Sequence, residues 1–174
     1  MENEVLKALR ERRSVRNFKP EQITDEELKT VLDAGTYAPT AMGRQMPYIV
    51  AVQNPEIVAQ LVRMNAAVLG TDGNPYYDAP TIVMVFAPRD WSNSVQDGSL
   101  VLGNMMNAAH AIGLGSCWIN RERQMFDTEE GGELMRRFGL PDGLMGIGSI
   151  SLGYPAAAPQ PAAPRKDDYI RIVK

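Results

Sequence analysis

The chain has 174 residues, of which 44% are hydrophobic, 7% aromatic and 22% charged, a balance that suits one globular domain burying about two-thirds of its unfolded surface. Eighteen Lys and Arg against 21 Asp and Glu leave a net charge of −3, which argues against a general polyanion binder and confines any anion site to a local cluster. A single cysteine, Cys117, and a single histidine, His110, exclude an intrachain disulfide and the usual Cys/His zinc sites, and a Ser-His-Asp triad would have to recruit His110.

In chain order, Val5, Leu6 and Leu9 recur at helical spacing among charged residues, which predicts an amphipathic helix ending near Arg13. Thr24 with Glu27 three residues on is a capping box, and Leu28, Val31 and Leu32 form the stripe of a second helix that stops before Pro39. The loop that follows, APTAMGRQMP, runs into YIVAVQ, a buried strand. Pro55 sits where a first helical turn tolerates proline, and Ile57, Val58, Leu61 and Val62 carry a third helix as far as the break at GTDGNP.

TIVMVFA, from Thr81 to Ala87, predicts a strand covered on both faces. From Val95 to Ile112 the apolar residues surround the helix instead of forming a stripe, so burial on most sides is expected, one route being a second subunit. SCWI reads as a strand, Thr128 to Phe138 as an acidic-first, basic-last helix, and LMGIGSISL as a last strand whose Gly146 and Gly148 imply close approach of a backbone or ligand. Residues 1–154 form the domain, and the proline-rich residues 155–174 form an extended arm that belongs to it. The sum is α+β: a mixed, mainly antiparallel sheet flanked by helices.

The opening MENEVLKALR lacks the order of a signal peptide, and no stretch approaches the ~20 consecutive apolar residues of a membrane helix. A soluble protein of the reducing cytoplasm, with no membrane partner, is expected.

Arg12, Arg13, Ser14 and Arg16 form the densest polar cluster. Planar guanidiniums and a short hydroxyl make a good phosphate receptor, while the plainer reading is a solvated helix end that complements the helix dipole. In the loop after Pro39, backbone amides could face a ligand and Gln45 could read an amide-like edge; an ordinary loop is the plainer alternative. Arg165 and Lys166 make a second basic point. Trp118 and Cys117 read as core, and His110 as a hydrogen-bonded structural histidine. A nucleic-acid role for the arginine cluster is opposed by the acidic net charge and the lack of interleaved aromatics.

In order and spacing, EVLKALRERRSVRNFKPEQITDEELKTVLDAGTYAPTAMGRQMPYIVAV, the Asp97–Asn104 stretch, AIGLGSCWI and the LGYP-then-Pro-Arg ending resemble the nitroreductase family of flavin enzymes. The resemblance implies an intertwined homodimer with FMN at its interface. Reducing equivalents would come from NADH or NADPH and pass to a small organic acceptor by a ping-pong route, with no catalytic side chain of the protein's own. It also implies that Arg12, Arg13, Ser14 and Arg16 hold the ribityl-phosphate side and part of the pyrimidine edge, joined by Arg165 from the arm. Pro39, Thr40 and Ala41 of the partner would lie against the flavin, with Gly43 and Gln45 in the same loop and Ile119 and Asn120 near the ring.

The sequence departs from the family at Gly43, where Asn is common, and at Met46, which separates Gln45 from Pro47. The Glu-Gly pair of longer relatives has its nearest match in Gln124-Met125, and much of their lid insertion is missing. These departures motivate the alternative of a protein that holds FMN, or another phosphorylated ligand, without turnover.

Overall fold

The computed structural model describes residues 1–174. Helix α1 (Glu4–Glu11) is capped by Asn3, whose side chain accepts from the Leu6 amide. The capping box forms as expected: Thr24 Oγ1 accepts from the Glu27 amide while Glu27 accepts from the Thr24 amide, starting α2 (Asp25–Thr36). A single 3-10 turn at Ala41–Gly43 leads to β1 (Tyr48–Val52), and Asn54 and Pro55 open α3 (Pro55–Leu69). There follow β2 (Thr81–Pro88), α4 (Ser94–Ala111), β3 (Gly115–Ile119), α5 (Glu122–Phe126), α6 (Glu129–Arg137) and β4 (Leu144–Gly153). Helix α5 has no counterpart in the sequence reading, because five residues give too few turns for a hydrophobic period to show.

The strands make one sheet in the order β1-β2-β4-β3, every pair antiparallel; the one parallel pairing is a lone bridge from Ser14 to Ser116. Strand β2 is buried on both faces, as its composition implied. Ile82, Met84 and Phe86 face α3, α5 and α6, where Leu61, Met125, Phe126 and Leu134 complete one core. Val83 and Val85 face α2 and α4, where Val31, Val101, Leu102 and Met105 complete the other. The fold is therefore three layers, helices on both faces of a sheet.

The glycines of β4 behave as expected. A Cβ on Gly146 would lie 2.6 Å from the Glu122 carbonyl carbon, and the register slips by one residue at Ile147, a bulge between paired Gly146 and Gly148. Along α4, Val95 and Leu100, with Ile112 just past its end, remain exposed, so one side of this helix finds no cover within the chain. Two expectations are corrected. His110 is only half-buried and makes no side-chain hydrogen bond. Trp118 is also half-buried: β3 is an edge strand, and its indole Nε1 donates to Asn120 Oδ1 at 2.7 Å. Residues 156–174 are exposed throughout; a hydrogen bond from the Ala156 amide to the Asn17 carbonyl ties only the root of the arm.

Candidate active site

Between α1 and α2 the chain runs along the free edge of β3: the Val15 amide donates to the Ser116 carbonyl at 2.9 Å, with Val15 buried against Gly115. This fixed segment carries the arginine cluster. Burial pushes the Cys117 thiol up, while Arg16, a hydrogen bond with Ser14, and Arg12 act in the opposite direction, so all three groups converge on one short stretch of β3. One guanidinium nitrogen of Arg12 is buried and has no hydrogen-bond partner. A buried donor without a partner is uncommon, because it has given up water for nothing. The Arg16 guanidinium lies 5.9 Å from the centroid of Tyr77. Arg13 is used otherwise: its guanidinium turns back to the carbonyls of Arg10 and Arg12 and closes the end of α1.

Pro39, Thr40, Ala41, Gly43 and Gln45 form a second group, built on the N-terminal turn of α4. Asp97, 3% exposed, accepts from the Ala41 amide at 2.9 Å and from Trp91 Nε1 at 3.0 Å, and Arg44 stacks on the Trp91 ring at 4.7 Å. Thr40 Oγ1 accepts from the Gln45 amide at 3.0 Å. These bonds hold Met42, Gly43 and Gln45 at φ of 58°, 65° and 51°, left-handed values that favour glycine and explain why Gly43 can stand where a side-chain amide is common. A cavity of about 640 Å³ opens beside the loop, lined in part by Arg44, Gln45, Tyr48 and Arg89.

Two other expected residues are brought to neither group. Arg165 is exposed on the arm and donates only to the Ala163 carbonyl, and the Ile119 side chain is core, leaving its main chain alone to meet a ligand. Met125 is core as well, so of the pair matched to Glu-Gly only Gln124 faces outward.

Sequence reasoning missed Glu122. It is fully buried at the start of α5, with Oε1 bonded by Ser149 Oγ and by Tyr76 OH at 3.2 Å, and Oε2 without a partner. Burial raises this carboxyl to about 7, against the bonds from Ser149 and Tyr76 and the charge of Arg121. Flanked by Arg121 and Arg123, it reads in sequence as solvated surface; no local pattern marks it.

The chain is thus an α+β protein with an arginine cluster along one sheet edge and a loop held in left-handed form beside the start of α4. The chain belongs to the nitroreductase family, whose pattern it matches over residues 9–75 and 70–154. A provisionally named NADH dehydrogenase/NAD(P)H nitroreductase of Archaeoglobus fulgidus is 31% identical over 158 residues, covering 87% of this chain and 86% of the relative. A Bacteroides fragilis nitroreductase with bound FMN superposes with a TM-score of 0.91 at 31% identity, over 99% of this chain and all of that one. A Desulfitobacterium hafniense nitroreductase with bound FMN gives 0.88 at 26% identity, again over 99% of this chain and all of the other. No helix of the chain is long and apolar enough to cross a membrane.

Proposed function

We propose that the chain is an FMN-dependent oxidoreductase that takes reducing equivalents from NADH or NADPH and passes them to a small organic acceptor, such as a nitroaromatic or quinone, by a ping-pong route. The observation that carries this reading is the unpartnered, buried guanidinium nitrogen of Arg12 beside Arg16 and Ser14, in a chain of this family. These residues fit an FMN phosphate: two planar guanidiniums and one short hydroxyl. FMN supplies the hydride chemistry, so the protein's part is to bind, orient and tune it. Arg12, Arg16 and Ser14 hold the phosphate end, the edge of β3 supplies main-chain groups along its length, and Asp97 keeps the Thr40–Gln45 loop in its left-handed form.

The working unit is a homodimer with FMN between the subunits, in a cytoplasmic setting. Three features support the dimer. The arginine cluster lies along the edge of β3, whereas the Pro39–Gln45 loop is tied to the start of α4. Helix α1 buries none of its residues, leaving Val5 and Leu9 exposed along an apolar groove of about 410 Å³ against Ala108 and Ala111. On the arm, Tyr169, Ile170, Ile172 and Val173 are at least 70% exposed, which suits a segment that seats on a partner and can carry Arg165 towards its phosphate.

The test is the purified protein itself. A yellow protein whose flavin absorption bleaches on anaerobic addition of NADH or NADPH is expected, and titration with each nucleotide separates the two reductants. Protein that neither retains nor takes up FMN would sink the reading; flavin that is bound but not reduced would leave a carrier without turnover.

A further inference from the structure

We infer that Glu122 is a positioning residue: through Tyr76 and Asn65 it holds the Asn120–Arg121 turn at the end of the flavin-bearing edge. The inference rests on the FMN reading above for its functional consequence, but its geometry is in the chain alone.

Strand β3 starts beside Ser14 and the arginine cluster and ends at Ile119, so Asn120 follows four residues after Ser116, about 13 Å further along the same edge at the usual strand rise. The turn there is not relaxed. Arg121 has a φ of 88°, a left-handed value that a residue with a β-carbon adopts only when its surroundings impose it. The imposing groups are identifiable. Asn65, fully buried on α3, donates to the Asn120 carbonyl at 2.9 Å and accepts from Arg121 Nε at 2.8 Å. The same Asn65 amide donates to Tyr76 OH at 3.2 Å, and Tyr76 OH in turn meets Glu122 Oε1. Trp118 Nε1 holds the Asn120 side chain from the other side. Glu122 is thus the innermost member of a chain of hydrogen bonds whose outer end is the turn.

Its protonation state follows from the packing. Both oxygens are buried, and only Oε1 has partners; an ionised carboxylate there would leave a charged oxygen with none, whereas the neutral acid, which carries its proton on Oε2 while Oε1 accepts both bonds, leaves one uncharged O–H unpaired. The groups that face the carboxyl are few: Ser149 from β4, Tyr76 from the α3–β2 connection, and Arg121 from its own turn. Arg63 of α3 is turned outward to Glu130 of α6 and does not compete. Burial carries the carboxyl up to about 7, so it exchanges its proton within the working range. The carboxylate so formed accepts more strongly from Tyr76 OH, and the pull passes through Asn65 to the turn.

The experiment follows Trp118 emission in a Trp91→Phe background and, separately, FMN affinity of the flavin-depleted protein with Trp91 intact, both measured from pH 5.5 to 8.5. Trp118 emission is expected to shift with a midpoint near neutrality and FMN affinity to fall about tenfold across the same range. The Trp118 shift and the fall in affinity are both absent in Glu122→Gln, whose remaining pH dependence is that of the FMN phosphate, with its second ionisation at about 6. Tyr76→Phe, which preserves the ring but cuts the link to Asn65, also abolishes the Trp118 shift, and it serves if the first variant does not fold. Emission and affinity profiles in either variant that match those of the parent would overturn the inference. A protein that binds no FMN would sink the flavin reading while the Trp118 titration still decides the role of Glu122.

Discussion

Replacing Arg12 with Ala separates a binding role from a structural one, because the two predict opposite signs. In the flavin-free chain one Arg12 nitrogen is buried and donates to nothing, so it contributes a desolvation cost and no compensating bond. Removing it leaves the flavin-free protein at least as stable as before, in urea or heat denaturation. With FMN present the same group completes a charge-assisted bond to phosphate, worth roughly 1.5–3 kcal/mol, so its loss weakens FMN binding by about 10- to 150-fold. Titration of FMN into the flavin-free variant, followed by quenching of flavin fluorescence, gives the second number; Arg12→Lys falls between, keeping charge but losing the planar fork. Undiminished FMN affinity combined with reduced stability would refute the reasoning and make Arg12 a scaffold residue.

Three further outcomes are expected. The Glu122 carboxyl titrates near 7 when folded and at 4.5 when not, so stability is fully present below about pH 4.5 and is lost as pH rises to about 7. At about 1.4 kcal/mol per unit the loss is on the order of 3 kcal/mol, and urea midpoints across that range are flat in Glu122→Gln. Gly146→Ala forces a methyl to within 2.6 Å of the Glu122 main chain, which costs about 1–3 kcal/mol in the same assay, and an unchanged midpoint would mean that α5 moves freely. Truncation before Pro155 leaves the melting of residues 1–154 intact, since the arm beyond Pro155 is fully exposed, but weakens both FMN binding and the dimer as read by sedimentation.

The parts of the fold that sequence makes legible are those with local causes. Thr24 and Glu27 close a capping box from four residues, Asn54 and Pro55 open α3, and the apolar run of β2 is covered on both faces. The Arg12–Arg16 cluster is legible as chemistry because its members are contiguous. What sequence hides is non-local. Asp97 meets Ala41 across 56 positions and Asn65 meets Asn120 across 55, and nothing in either neighbourhood predicts the other. Glu122 was invisible for a related reason: its burial is decided by Gly146 on β4, which admits the α5 backbone only because it lacks a side chain. His110 and Trp118 were expected to be buried as their residue types and neighbours suggest, but each lies on a face the single chain leaves uncovered.

That uncovered surface bears on how cofactor and partner depend on each other. The Thr40–Gln45 loop is locked inside its own subunit by Asp97 and by Thr40, so it is ready before any partner arrives. The Arg12 guanidinium, by contrast, has no partner to complete it within the chain. If FMN lies between the two, it contacts both subunits and binds the dimer more tightly than either monomer, and by linkage it must then strengthen the dimer by the same factor. Flavin-free protein is therefore expected to dissociate at higher concentrations than the FMN-loaded form. The difference should shrink in Arg12→Ala, where the cofactor's hold on one subunit is weakened. Dimer dissociation constants from sedimentation equilibrium, with and without FMN, measure that factor directly, and equal values for the two forms would place the flavin within a single subunit.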